Sequence, residues 1–163
     1  MAKMKIVKGE ETKILRTVCA GVKKFDSGLK RLVQGMKEAM FGADGLGIAA
    51  PQVGVDARVF LVVLGYKSKN SKVVAMVNPE IVEFSEEKTM HEEGCLSLPG
   101  VYGNVERAKS VKVRFMDVEG LRMEMNLEGL DARVVQHEMD HLNGVLFVDK
   151  VIEVKKRKIG DAA

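Results

Sequence analysis

The feature that most constrains how this chain folds is a pair of histidines, His137 and His141, four residues apart with Glu138 between them. Residues at this spacing lie one above the other on a helix, so both imidazoles can reach one metal ion. Glu138 is one step of about 100° away, close enough to hydrogen-bond a water on that ion. A catalytic site of this type needs a third protein ligand. The fold must therefore bring another part of the chain to this helix.

The third ligand is not where metzincin proteases have it. Their motif continues to a further histidine, but this chain has Phe147 at that position, and Phe cannot bind a metal. Asp149 and Glu153 follow soon after a predicted helix end, with little chain left. The remaining candidates, His91 and Cys95, lie upstream. Cys95 is favoured because glycines on either side of its Cys-Leu-Ser segment let the backbone approach another group closely.

Apolar spacing predicts two helices. The first covers residues 26–42, where apolar side chains recur every three or four positions and Asp26 or Ser27 can cap the start. The second runs from Leu130 to Asn143 and carries the histidine pair. Gly144 follows it and is well placed to end it.

Other segments favour β-strands. Residues 58–64 and 73–77 are almost entirely β-branched or apolar. Apolar and polar residues alternate over 111–115 and again over 121–127, and a Val-Glu-Gly turn at 118–120 separates the two runs. This pattern predicts a two-stranded hairpin.

Residues 145–148 are expected to form a short buried segment, and residues of about 150–163 a short, frayed basic tail. No repeat or linker divides the chain, so residues 1–163 are predicted to form one compact domain. The sequence therefore predicts an α+β fold, with antiparallel β-sheets around a central, buried C-terminal helix that carries the histidine pair.

Composition excludes several classes of protein. Apolar residues make up 46% and charged residues 30%, which is typical of a globular chain, and no apolar run is long enough to span a membrane. There is no Trp and there are only two Tyr, so a stacking surface for nucleic acid is not expected. Two cysteines and no signal sequence indicate a reducing, cytoplasmic setting. The basic run at 155–158 is either an RNA or ribosome contact or simply a solvated end.

Three blocks of sequence together resemble peptide deformylase, the enzyme family that removes the formyl group from the N-terminal methionine of new bacterial and organellar polypeptides. They are the glycine-rich Gly45–Gln52, the Cys-containing Glu93–Ser97 and the His-containing Gln136–Leu142. All three are intact and in the family's order. Any one would be suggestive, and the set is specific to this family.

The resemblance implies that Cys95, His137 and His141 hold one divalent metal ion. Iron(II) is implied as the native ion, with Zn(II), Ni(II) or Co(II) as substitutes. Glu138 would act as general base while a metal-bound hydroxide attacks the formyl carbon and formate is released. Asp140 or Glu93 could orient the ligands; the alternative is that both are solvated surface charges.

The resemblance also implies further catalytic residues. The side-chain amide of Gln52 and the backbone N–H of Leu96 would stabilise the oxyanion. Gly47 would let the chain run close to the substrate backbone and hydrogen-bond it. An apolar pocket for the methionine side chain is expected, with walls formed by Leu46, Gly47, His91, Leu130 and Val134.

The implied partners are N-formyl-Met nascent polypeptides, with a transient ribosome contact, no DNA, no membrane and a monomeric enzyme. Three other hypotheses remain. A zinc endopeptidase would share only the histidine motif, and a metal-binding module without catalysis would act through its basic tail on a ribosome. A related esterase would act on a different formyl or acyl group through the same reaction class.

Overall fold

The computed structural model describes residues 3–156, with side chains through residue 152. It contains two α-helices, eight β-strands and three short 3-10 helices within these residues. The α-helices are α1 (Ser27–Gly42) and α2 (Gly129–Leu142), and the 3-10 helices are Lys13–Arg16, Ala50–Val53 and Phe147–Asp149. The strands are β1 (Gly47–Ala49), β2 (Val59–Leu64), β3 (Lys72–Phe84), β4 (Lys88–Cys95), β5 (Leu98–Ala108), β6 (Ser110–Met116), β7 (Arg122–Glu128) and β8 (Val151–Lys156).

The strands form two sheets, and every pairing is antiparallel. The larger sheet has the order β1-β2-β3-β6-β7, and the smaller has the order β4-β5-β8. Helix α2 packs Val135, Met139 and Leu142 into the core of the larger sheet. The same helix reaches the smaller sheet through Gln136, whose side chain bonds the backbone N–H and C=O of Ala108. The predicted α+β fold, with antiparallel sheets and a buried C-terminal helix, is confirmed.

The burial of strand β2 on both faces of its sheet explains why its sequence is apolar throughout. All six of its residues are buried, because alternate side chains enter two different cores. Phe60, Val62 and Leu64 pack with α2 on one face of the sheet. Val59, Leu61 and Val63 pack with α1 on the other face. A strand covered on both faces loses the apolar-polar alternation of a half-exposed strand.

The first helix and the hairpin are as predicted. Helix α1 starts at Ser27, and the Asp26 carboxylate accepts a hydrogen bond of 3.1 Å from the Leu29 N–H. In the hairpin, β6 and β7 pair in a continuous antiparallel register that includes Val113 opposite Met125.

One strand prediction was wrong in extent. Strand β3 does not stop at Val77 but continues through Asn78-Pro79 to Phe84. Asn78 has a φ of +50° at a break in the register, and its side chain bonds both the N–H and the C=O of Val22. These two bonds hold a bulge that lets the strand pass the proline.

The smaller sheet was not predicted, and part of it lies where a frayed tail was expected. Residues 151–156 form β8, paired with β5, because β5 offers an open edge to the returning chain. The rest of the expected tail, residues 157–163, lies outside the described residues, as do two of the four positions of the basic run. The expected buried segment at 145–148 is present, with Leu146 and Phe147 fully buried.

The C-terminal end of α2 is fixed by Gly144. Its φ is +73°, and a β-carbon there would lie 2.6 Å from the carbonyl oxygen of Arg16. The N-terminal segment thus crosses directly over the helix end, where the Cys19 N–H also donates to the Leu142 carbonyl at 2.8 Å.

We predict that Gly144→Ala destabilises the protein more than Gly129→Ala does. Both glycines have positive φ, so both variants incur the left-handed backbone cost of about 1–2 kcal/mol. Only at position 144 does the new methyl group also meet another backbone segment, whereas nothing lies within 4 Å of it at 129. Urea unfolding should show a further loss of about 1–3 kcal/mol for Gly144→Ala. Equal losses in the two variants would contradict this packing.

Candidate active site

Three potential metal ligands from two elements meet beside α2. Cys95 ends β4, and His137 and His141 lie one turn apart on α2. One ligand atom from each lies within 4.8 Å of the others, and the Cys95 Sγ to His141 Nε2 distance is 3.3 Å. The structure thus brings the upstream cysteine to the histidine pair, as the sequence predicted.

The turn that delivers Cys95 depends on Gly94. A β-carbon at Gly94 would lie 2.8 Å from the Tyr102 ring, so a side chain there would have to displace this ring on the neighbouring strand β5. The pairing shifts register between Gly94 and Cys95, and Cys95 pairs with Leu98 in a tight reversal. This reversal turns the end of β4 toward the helix.

A buried carboxylate, Glu93, orients His137. Its Oε1 lies 2.9 Å from His137 Nδ1, which leaves Nε2 of the imidazole for the candidate metal site. Arg107 binds the same carboxylate in a bidentate pair at 2.6 and 2.9 Å, and Arg133 adds a bond of 2.6 Å. Asp140 is also mostly buried and accepts a bond of 2.9 Å from Arg107. Neither acid is therefore a solvated surface charge.

Arg133 is the residue that the sequence analysis missed. It is 7% exposed, and besides Glu93 it binds the carbonyls of Val105 and Thr89, so it ties α2 to β4 and β5. A lone arginine on a helix gives little signal in one sequence. Its position four residues before His137 was the available clue, because residues four apart share a helix face.

Burial and neighbouring charges shift the pKa values of the residues in this site. Burial opposes a proton on His137, but hydrogen bonds to Cys95 and Glu93 outweigh burial and raise the His137 pKa to about 10. Burial also opposes ionisation of Glu93, yet bonds from His137 and Arg107 hold its pKa well below the usual value. Burial lowers the pKa of His141, with His137 and Arg107 acting in the same direction, so its imidazole is neutral. One thiol and two imidazoles, with Glu93 orienting His137, form a donor set that fits a divalent cation.

Glu138 faces this cluster without a hydrogen-bond partner on one oxygen. It is 3% exposed, and its Oε2 is buried with no partner among the described residues. Burial raises the Glu138 pKa to about 7, against the opposing charges of His137 and Arg107. A β-carbon at Gly47 would lie 2.6 Å from Glu138 Oε1, so only glycine lets β1 pass this close to the carboxylate.

Gln52 points its amide nitrogen into the same space. Its oxygen accepts from the Ala49 N–H at 2.9 Å, and its Nε2 lies 3.6 Å from Cys95 Sγ and 3.2 Å from Ser97 Oγ. The bond to Ala49 fixes which end of the amide is the donor. Leu96 follows Cys95 directly and lines the adjoining cavity.

A cavity of about 420 Å³ opens onto these groups. Its walls include Leu46, Gly47, Leu130 and Val134, four of the five residues predicted for the substrate pocket. The structure does not place His91 there. That side chain is exposed on β4, and the strand reaches the cavity only from Glu92 onward.

Comparison with known proteins identifies the family. The model of the polypeptide deformylase family matches residues 3–157, nearly the whole chain. The chain belongs to this family. The three sequence blocks that resembled it supply the clustered side chains: Gln52 comes from the first block, Cys95 from the second, and the two histidines from the third.

Relatives of this chain are similar to it in sequence over most of their length. The peptide deformylase of Thermotoga neapolitana is 48% identical over 143 residues, 88% of this chain and 84% of its own. That of Prochlorococcus marinus strain NATL1A is 44% identical over 144 residues, 88% of this chain and 71% of its own.

Solved structures of the family have the same fold. The crystal structure of Thermotoga maritima peptide deformylase superposes with a TM-score of 0.87 at 41% identity, covering 94% of this chain and all of the other. A Met-Ala-Ser-bound class I type b peptide deformylase from Acinetobacter baumannii gives a TM-score of 0.84 at 41% identity, covering 92% of this chain and all of the other.

We predict that Glu93→Gln weakens metal binding by about 10- to 100-fold, the usual effect of losing a group that orients a ligating histidine. The variant keeps the shape of the side chain but loses the charge that holds His137 and the two arginines. Zinc affinity is measured by chelator competition, with circular dichroism to confirm folding. Glu106→Gln is the control, because Glu106 is an exposed strand glutamate of the same sheet. Unchanged affinity in a folded Glu93→Gln protein would show that Glu93 does not position the ligand.

Proposed function

We propose that this chain hydrolyses the N-formyl group of formylmethionine at the start of new polypeptides, and that the cavity beside Cys95, His137 and His141 is where it does so. The observation that carries the proposal is the buried cluster itself: three metal-binding side chains, a carboxylate with one unpartnered oxygen and a fixed amide donor, all beside a cavity that also has apolar side chains in its walls. Membership of the deformylase family and a relative with Met-Ala-Ser bound support it.

Cys95, His137 and His141 would hold one divalent cation. Such an ion supplies a water with a pKa near neutrality and polarises the carbonyl that it contacts. The hydrogen bond that His137 Nδ1–H donates to the Glu93 carboxylate fixes the ring and leaves Nε2 free to bind such an ion. We propose iron(II) as the native ion, from the family resemblance, with zinc, nickel or cobalt as substitutes, because one thiolate and two imidazoles suit all of them.

Glu138 would move the proton. Its free Oε2 accepts a proton from the attacking water, and the same carboxyl group then donates a proton to the departing amine as the formyl C–N bond breaks. Water adds across that bond, so the products are formate and a free N-terminal amine. A pKa of about 7 lets one group perform both transfers at neutral pH.

Gln52 would stabilise the negative charge that develops on the formyl oxygen. Because Ala49 binds the amide oxygen, the NH₂ group is the end that faces the Cys95 side of the cavity. The backbone N–H of Leu96 is proposed as a second donor. A preset donor of this kind stabilises the transition state without any rearrangement.

The rest of the cavity would bind the methionine and the peptide backbone. Leu46, Leu130 and Val134 offer apolar walls for an unbranched side chain. Strand β1 is at the edge of its sheet, so one side of its backbone is open to pair with a peptide.

The cellular setting follows from the proposed substrate. We propose that the enzyme acts as a cytoplasmic monomer with transient access to ribosomes, since its substrates are nascent chains. No helix within residues 3–156 is long and apolar enough to cross a membrane.

We predict that Glu138→Gln lowers kcat for formate release from formyl-Met-Ala-Ser by about 10²- to 10⁴-fold, because the proton carrier is lost. The assay uses anaerobically prepared protein loaded with iron(II) or nickel(II), and metal content should not change. Glu86→Gln, an exposed glutamate without a hydrogen bond or ion pair in residues 3–152, is the matched control.

Two outcomes would contradict the proposed function. Formate release that survives in Glu138→Gln at more than a tenth of the wild-type rate would remove Glu138 as the proton carrier. Cleavage of an internal bond in an N-acetylated peptide, with no formate released from the formyl peptide, would instead indicate an endopeptidase.

A further inference from the structure

The hydroxyl group of Ser97 is buried beside the proposed active site, although it is neither a candidate metal ligand nor a proposed catalytic group. Ser97 is fully buried in the turn between β4 and β5, two positions after Cys95. Within residues 3–152 its hydroxyl forms one hydrogen bond, which it accepts from Gln52 Nε2 at 3.2 Å. A buried hydroxyl costs free energy unless it is bonded, so this one partner indicates what the side chain does.

The bond to Ser97 holds the nitrogen end of the Gln52 side-chain amide. The oxygen end accepts from the Ala49 N–H at 2.9 Å. An amide nitrogen carries two hydrogens. Ser97 Oγ can accept one of them, which leaves the other for the side of Cys95, whose Sγ lies 3.6 Å from Nε2. Bonds at both ends fix the plane of the amide and therefore the direction of its second N–H.

The bond to Ala49 alone does not fix this plane. The terminal torsion of a glutamine side chain is broad, so the amide can turn while its oxygen still accepts from the Ala49 N–H. Such a turn would move the NH₂ hydrogens away from the formyl oxygen that Gln52 is proposed to stabilise. A donor to an oxyanion is effective because it needs no rearrangement in the transition state. A second bond to the amide should therefore raise the rate.

The backbones of Gln52 and Ser97 are held by one N-terminal segment. The Val7 N–H donates to the Gln52 carbonyl at 2.7 Å, and the Gly9 N–H donates to the Ser97 carbonyl at 3.0 Å. These two bonds join the short 3-10 helix that carries Gln52 to the turn that carries Ser97. The two side chains are therefore kept at hydrogen-bond distance by backbone contacts that do not involve the Ser97 hydroxyl.

We propose that Ser97 is a positioning residue for the deformylation: its hydroxyl holds the Gln52 amide so that the second N–H points at the formyl oxygen. This rests on the proposed function, since it concerns the same site. Ser97 does not line the cavity in which the substrate would bind. Its loss should therefore lower kcat and leave KM and metal affinity unchanged.

The test is a double-mutant cycle on formate release from formyl-Met-Ala-Ser by nickel(II)-loaded protein. Ser97→Ala should lower kcat by about three- to tenfold, the effect of losing one hydrogen bond. Gln52→Ala should lower it by about 10²- to 10³-fold, the effect of losing an oxyanion donor. Adding Ser97→Ala to Gln52→Ala should have no further effect, because the hydroxyl acts only through the amide.

Ser85→Ala is the matched control and should keep the wild-type kcat. It also removes a serine hydroxyl that forms hydrogen bonds, one to the Glu87 carbonyl and one from the Ser110 N–H. None of these three residues lines the cavity.

The position of the amide is also measured without turnover, so that this proposal and the proposed function can fail separately. In ¹⁵N NMR spectra of zinc-loaded protein, the side-chain NH₂ signals of Gln52 are identified by their loss in Gln52→Ala. The signal of the proton bonded to Ser97 should move upfield in Ser97→Ala and stay in place in Ser85→Ala. If the wild-type protein released no formate, the proposed function would be wrong, and these signals would still test the position of the amide.

Four results would overturn the proposal. The first two are an unchanged kcat and unchanged Gln52 NH₂ signals in Ser97→Ala, since either would show that the bond to Ala49 is sufficient. The third is an equal loss of kcat when Ser97→Ala is added to Gln52→Ala, which would show that Ser97 acts independently of the amide. The fourth is a fall in zinc affinity, measured by chelator competition, that accounts for the loss of kcat. Ser97 would then support the turn that presents Cys95.

Discussion

The interaction on which the site depends is the buried carboxylate of Glu93, held by Arg107, Arg133 and His137. A buried charge is tolerated only when it is paired, and removing one partner of such a group typically costs about 3–5 kcal/mol. Here the pairing also orients His137 for metal binding. The carboxylate comes from β4, Arg107 from β5, and the other two from α2, so one charge network joins the helix to the sheet that supplies Cys95.

The two sheets divide the work of building this site. In the larger sheet, β2 supplies the apolar surface on which α2 packs. Strand β1 lies at the edge of this sheet and passes so close to Glu138 that only glycine fits at position 47. The smaller sheet supplies Cys95 and the Glu93 carboxylate that orients His137. The apolar face of helix α2 packs in the core, and this leaves its other face to present the metal ligands. The histidine pair therefore occurs within an amphipathic helix.

Features with a local pattern could be predicted from the sequence, whereas features held by distant contacts could not. Helical spacing predicted α2, and alternation predicted the β6-β7 hairpin, since both depend on neighbours in the chain. Strand β8 forms because β5 has an open edge, and β3 continues past its proline because Asn78 bonds Val22, 56 residues earlier. Neither partner can be read from the segment itself.

The candidate site shows the same division. Cys95 was found because the ligand count required a third donor, and Gln52 because of the family resemblance. Arg133 was missed and His91 was misplaced, since the local sequence gives little to distinguish a buried arginine or an exposed histidine beyond the position of Arg133 one turn before His137. The first was revealed by the contacts of α2 with β4 and β5, and the second by where β4 meets the cavity.

X-ray absorption spectroscopy of the zinc-loaded protein tests whether one cation is held by Cys95, His137 and His141. We predict one sulfur at about 2.3 Å together with nitrogen ligands at about 2.0–2.1 Å. The sulfur contribution should be lost in Cys95→Ser. A spectrum without sulfur, or one in which sulfur remains in Cys95→Ser, would show that Cys95 is not a ligand of the cation.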